Sequence, residues 1–181
     1  MNHKINFRDF DLAFVDCEMT GRSFKHELIE IAVVRVSAFN FAVLDEWSTK
    51  IKPRNIENAE PEALKITGYN EKDWEDSLNE ETALKIFLEK TDKTILVGQN
   101  ISFDLSFIYK ALAAYNLQPT FWYKSIDTFT LAWQKLRTNS DIRGLGLTEL
   151  MTHFEMEREN VHSALDDAKA AYQVFLKLIE S

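Results

Sequence analysis

The sequence predicts a three-layer α/β domain, a mixed five-stranded sheet flanked by helices. Three observations carry this expectation. Apolar runs with strand character crowd the first third of the chain, helical periodicity governs the remainder, and two further short apolar runs sit between helices. LAFVDCEM (12–19), LIEIAVVRV (28–36) and FAVLDEWSTKIK (41–52) read as three strands joined by short turn-bearing links, an antiparallel meander that Pro53 ends. Pro61 opens a short helix, PEALKI, that stops near Gly68. A longer helix covers about 80–90, ILVG (95–98) is a short buried strand, and a helix follows from about Ser102 to Asn116. Pro119 interrupts the chain before FWYKSID (121–127), the fifth strand. Helices over 128–137 and 147–154 lead to the last, from Ser163 onward. The fourth and fifth strands follow helices, which predicts that they run parallel to the first. No repeat or linker divides the chain, so a single domain over 1–181 is expected, with 139–146 its most loop-like internal stretch.

Composition narrows the function classes. The 181 residues are 45% apolar and 12% aromatic, enough to bury a full core, which excludes disordered and disulfide-stapled classes. Five glycines and three prolines exclude collagen-like and low-complexity chains. No apolar run approaches a membrane span, and MNHKINFRDF has no apolar core of a signal peptide. The single cysteine, Cys17, forms no internal disulfide, and a cytoplasmic location is expected. Twenty-one basic residues against 29 acidic ones give a net charge of −8, which argues against a nucleic-acid partner. That argument reverses if some acids hold divalent cations, because bound ions then supply the positive charge.

The acids are placed rather than scattered. Asp16 and Glu18 lie two residues apart on the first strand, so both face one side of the sheet. Adjacent strand acids are unfavourable unless a cation lies between them, although a solvated strand face reads the same way. Asp104 falls inside the apolar stripe of Ile108, Ala111, Leu112 and Tyr115. A carboxylate there must be paired or ligate a metal, or else serve as a first-turn acid favoured by the helix dipole. In the last helix the stripe runs through Ala164, Leu165, Ala168, Ala171, Tyr172 and Phe175. Asp167 borders that stripe and is assigned inward, whereas Asp166 points to solvent. His162, just before this helix, can reach the same cavity or act as an ordinary capping group.

Taken together, FVDCEMTG with Asp16 and Glu18, GQNISFD with Asn100, Phe103 and Asp104, and VHSALDDA with His162 and Asp167 stand in a telling order. They resemble the three motifs of the DnaQ-like, DEDDh-type 3′–5′ exonucleases. KIKPRN, PEALKITGYN and LGLTELMTHFEM are also similar to that family's connecting segments, so the resemblance covers about 12–176. It implies a ribonuclease H-like fold and hydrolysis of phosphodiesters at the 3′ end of single-stranded DNA or RNA, with release of nucleoside 5′-monophosphates. The cofactors it implies are two divalent ions, Mg²⁺ with Mn²⁺ able to substitute, held by Asp16, Glu18, Asp104 and Asp167. By the same resemblance Asp16 bridges both ions, Glu18 and Asp167 bind the nucleophile-side ion, and Asp104 reaches the second through water. His162 is the implied general base, and an unperturbed imidazole pKa near 6.5 suits that role.

At the substrate end, the resemblance assigns contacts to Met19, Thr20 and Phe103, with Asn100 bracing the site. Core packing is an equal reading for Met19 and Phe103, and Gly68 reads as an ordinary helix cap. Lys50, Lys52, Arg54, Arg137 and Arg143 are candidate backbone contacts or plain surface charges. EMTG is similar to the oligoribonucleases, whereas the later segments are closer to the proofreading group; RNase T belongs to the same superfamily. The chain ends after its last helix without the polymerase-binding tail of the bacterial DNA polymerase III epsilon subunit, so a stand-alone enzyme is expected, with no membrane and no polymerase partner. Two other readings are a non-catalytic nucleic-acid-binding or polymerase-assembly module and an internally cutting nuclease of the same fold.

Overall fold

The computed structural model describes residues 6–157 and 163–180. Among the described residues, five strands form one sheet: β1 (Asp11–Met19), β2 (Leu28–Val36), β3 (Val43–Lys50), β4 (Thr94–Gly98) and β5 (Ser125–Asp127). Their spatial order is β3-β2-β1-β4-β5. β1, β2 and β3 pair antiparallel, and β4 and β5 run parallel to β1, as the strand–helix alternation predicts. The described residues also form six α-helices: α1 (Pro61–Thr67), α2 (Glu80–Lys90), α3 (Ile101–Ala114), α4 (Thr128–Leu136), α5 (Leu147–His153) and α6 (Ala164–Ile179). None is long and apolar enough to cross a membrane.

Local chemistry sets the helix boundaries. Asn79 caps α2 by accepting the Thr82 N–H at 2.9 Å, and Asp127 caps α4 by accepting that of Phe129. Pro61 occupies the first turn of α1, and Gly68 ends that helix in the left-handed region at φ 65°.

Period-two alternation along β1 divides the core into two layers. Ala13, Val15 and Cys17 pack with Leu84, Phe87, Phe107 and Ile108 of α2 and α3. Leu12 and Phe14 pack on the opposite side against Ala168, Ala171 and Phe175 of α6. Phe14 meets Tyr172 and Phe175 edge-on at 5.2 and 5.3 Å, and the Tyr172 hydroxyl donates to the Phe41 carbonyl at 2.7 Å. These contacts fix α6 across β1. A smaller cluster of Ala132, Leu136, Leu150, Met151, Val174 and Leu178 joins α4, α5 and α6.

Two strands are shorter than their sequence patterns predict. β5 holds only Ser125–Asp127 rather than 121–127. Phe121 is instead buried against α2 and α3, and Trp122 stacks on Phe10 at 5.2 Å. The apolar run therefore reflects aromatic packing as much as strand pairing. β3 starts at Val43 because Phe41, at φ 57°, sits in a turn closed by its N–H donating to the Ser37 carbonyl. It ends at Lys50; Ile51 still donates its N–H to the Ile29 carbonyl of β2 but bridges Leu78 on its other side.

Candidate active site

β1 and β4 are parallel neighbours, so their C-terminal ends open on one edge of the sheet. A cavity of about 560 Å³ lies there. Gly98 makes the junction possible: a Cβ on it would stand 2.9 Å from the Val15 carbonyl oxygen and 2.7 Å from Ile101 Cδ1. Only a residue without a side chain lets β4 turn into α3 this close to β1.

Asp16 and Glu18 continue the series of β1 residues that faces α6, and the first turn of α6 carries Asp167. These three half-buried carboxylates each offer an oxygen, and the three oxygens lie within 4.8 Å of one another. Three negative groups so close repel strongly unless a cation is shared among them. An all-oxygen donor set suits a hard divalent ion such as Mg²⁺ and disfavours softer metals. The residues present therefore fit a divalent-cation site.

Asp104 enters from the other layer. It lines the same cavity, but its carboxylate is buried and Oδ1 accepts the Cys17 N–H at 3.0 Å. Burial pushes its pKa up from 3.8 to about 7, opposed by its backbone hydrogen bonds and reinforced by the charge of Asp127. In the metal-free chain this has a definite sign. Below 3.8 the carboxyl is protonated in both states. Between that value and about 7 the unfolded chain releases the proton while the folded chain keeps it, so stability falls as pH rises. The expected loss is on the order of a few kcal/mol by pH 8. Urea unfolding in chelator at pH 5 and pH 8 checks this: wild type weakens toward pH 8 relative to D104N, and parallel behaviour of the two contradicts it. Cys17 shifts in the same direction. Burial first, then the charges of Asp104, Asp16, Glu18 and Glu30, push its thiol well above the usual range, which makes it an inert core residue.

Further residues shape the cavity. Glu30 stands opposite Glu18 in the β1–β2 register, and its buried carboxylate accepts the Ala164 N–H at the start of α6. Its pKa is raised by burial, opposed by Lys50 and this hydrogen bond, with Asp166 adding to the rise. Glu30 thus anchors the helix turn that presents Asp167. E30A is expected to cost about 1 kcal/mol of stability, as lost caps do, and to slow turnover, with E30Q retaining most of both. Thermal melts beside rate measurements check this, and unaltered turnover in E30A contradicts the anchoring role.

Of the residues assigned to substrate, Met19, Asn100 and Phe103 line the cavity. Phe103 packs edge-on against Phe107 at 5.4 Å, so one side of its ring is core. Asn100 adopts a left-handed conformation, and its N–H donates to Asp127 Oδ1. Thr20 is buried and braces the wall: its N–H donates to the Glu27 carbonyl, its hydroxyl accepts the Glu27 N–H, and its carbonyl accepts the Glu60 N–H. His162 lies outside the described residues. Asp166 is half-exposed and outside the three-carboxylate group.

The sequence reading passed over Arg22, Glu60 and Glu30. Arg22 and Glu60 line the cavity from a loop and a helix start, where no periodicity betrays direction. Glu30 did leave a signal, as the one acid in a strand whose side chains are mostly buried and whose other charged residue is Arg35.

Comparison with known proteins matches this geometry. The sequence pattern of the RNase T exonuclease family covers residues 13–175. The chain is 31% identical over 166 residues to the PolC-type DNA polymerase III of Caldanaerobacter subterraneus subsp. tengcongensis, covering 91% of this chain and 11% of that protein. It therefore spans about a tenth of that relative's length. It is 29% identical to the DNA polymerase III epsilon subunit of Aquifex aeolicus, covering 97% of this chain and 83% of the relative. Ribonuclease T of Shewanella denitrificans is also 29% identical, with 99% and 84% covered. Escherichia coli exonuclease I, solved with a dT13 oligonucleotide, superposes with a TM-score of 0.81 at 22% identity, over 95% of this chain and 41% of that one, so the ribonuclease H-like fold is shared. The nuclease domain of 3′hExo, solved with rAMP, gives 0.77 at 17% identity over 93% and 91%. The pattern match over nearly the whole domain, with its motif acids meeting at one sheet edge, shows that the chain belongs to the RNase T family of DEDDh-type 3′–5′ exonucleases, hydrolases of phosphodiester bonds.

Proposed function

We propose that this protein removes nucleotides one at a time from the 3′ end of single-stranded DNA or RNA, releasing nucleoside 5′-monophosphates with the help of two divalent ions. The observation that carries the reading is the meeting of Asp16, Glu18 and Asp167 within 4.8 Å at the cavity. When bound, Mg²⁺ or Mn²⁺ there supplies Lewis acidity to the phosphodiester and lowers the pKa of an attacking water. Asp16, Glu18 and Asp167 would hold the ions, with Asp104 completing the set from α3. His162 would take the proton of the attacking water as general base.

The remaining residues position the substrate. Met19 and the open side of Phe103 offer apolar walls to the terminal base, and aromatic rings stack on any base regardless of sequence. Asn100 and Thr20 hold the backbone that frames them. Arg22, at the exposed rim, supplies a cation for a phosphate in a chain whose net charge is −8. A 5′-labelled single-stranded oligonucleotide with Mg²⁺ or Mn²⁺ tests the reading. Stepwise shortening from the 3′ end with mononucleotide release is expected, abolished by chelator and by D16A. Cleavage of a covalently closed circular strand would overturn it in favour of internal cutting. Tight binding of 3′ ends without turnover in either metal would favour a non-catalytic module. Side-by-side rates on DNA, RNA and dinucleotides then assign the preferred substrate.

A further inference from the structure

α4 begins beside the cavity, one hydrogen bond away from Asn100. Asp127 Oδ1 accepts two N–H groups, that of Asn100 at the cavity and that of Phe129 in the first turn of α4. The inner side of α4 is fixed by the buried residues Thr128, Ala132 and Leu136. Its outer side carries Phe129, 46% exposed, and one turn further Trp133, 55% exposed. Another turn on, the Arg137 guanidinium lies 5.9 Å from the centre of the Trp133 ring, and its Nη1 donates to the Gln134 carbonyl at 2.8 Å. One helical turn is about 5.4 Å, so the two rings and the cation form an evenly spaced row leading away from the cavity.

Charge indicates what this row faces. The whole chain is acidic, yet residues 105–140 contain one acid, Asp127, against Lys110, Lys124, Lys135 and Arg137. Asp127 is engaged in capping α4. Lys110 and Lys135 donate to backbone carbonyls, and of these four cations Arg137 is the one beside the Trp133 ring. Another cavity, about 640 Å³ and lined by Tyr69 and Trp74, has no such basic excess, because Glu71 and Glu75 balance Lys52 and Lys72 in its lining. Exposed aromatics stack on unpaired bases, and an arginine beside them meets the backbone.

We propose that Phe129, Trp133 and Arg137 form a track for the single-stranded nucleic acid upstream of the 3′ end, stacking its bases while the terminal nucleotide occupies the cavity. This rests on the exonuclease reading above, and the test separates the two. Both rings lie at the surface, so their removal leaves the core intact. The affinity of a 5′-fluorescein-labelled oligothymidylate of about a dozen residues is read by anisotropy with divalent ions withheld, and turnover of that oligomer and of a dinucleotide is measured with Mn²⁺. The double variant F129A/W133A should bind the oligomer about tenfold more weakly or worse and lose its turnover in proportion, with the dinucleotide rate preserved. F129W/W133F should restore both. R137Q should reduce the salt dependence of binding. Undiminished oligomer binding in the double variant overturns the track and leaves this face to a protein partner, and an equal loss on the dinucleotide overturns it in favour of a general effect on the site. If the wild type turns over neither substrate, the exonuclease reading fails, while the anisotropy measurement still decides the track.

Discussion

Replacing Asp16 with asparagine should reduce turnover of a 3′-ended oligonucleotide by about three orders of magnitude and leave the protein folded. The side chain is one of three carboxylates within 4.8 Å, and asparagine keeps its shape while removing its charge. Divalent ions at such a site contribute several kcal/mol to the transition state, and each 1.36 kcal/mol lost is tenfold in rate. The metal-free variant should be at least as stable as wild type, because one member of a like-charged cluster has gone. The stabilisation that Mg²⁺ gives the wild type should vanish with it, since only binding to the folded state raises stability. Rates and thermal melts with and without Mg²⁺ check both halves. A variant that keeps wild-type turnover would remove Asp16 from the mechanism.

The second large effect is expected at His162. H162A should cut turnover by about 10²- to 10⁴-fold, the usual contribution of a positioned general base. Unlike D16N, it should keep the Mg²⁺-dependent rise in melting temperature, because a base acts on the attacking water and does not ligate the ions. The contrast between the two variants carries the assignment. If H162A loses the metal-dependent rise, the histidine is a ligand and the base lies elsewhere.

How much of this was legible in the sequence depends on which residues are considered. The two-residue spacing of Asp16 and Glu18 fixes a common face because strand geometry is local, and α6 packs on that face. Asp167 rather than Asp166 joins them, as its place beside the apolar stripe of α6 indicates. Asp104 lies buried on α3 as the helical wheel predicts. What escaped depends on contacts between distant segments. Glu30 caps α6 from β2, a relation that exists only after the sheet and the helix have met. Thr20 turns inward because Glu27 and Glu60 claim its polar groups, and no pattern in the MTGRSF loop announces that. β5 is short because Phe121 and Trp122 are drawn to separate packing partners, which an apolar run does not distinguish from strand pairing.

The proposed chemistry requires that β1 and α6 bring three acids together to share cations. Calorimetric titration of Mn²⁺ into the metal-free wild type, D16N and D167N tests it most directly. Saturable binding by the wild type, sharply weakened in both variants, is the predicted result. Equal affinity in all three proteins, or no binding by the wild type, would contradict it.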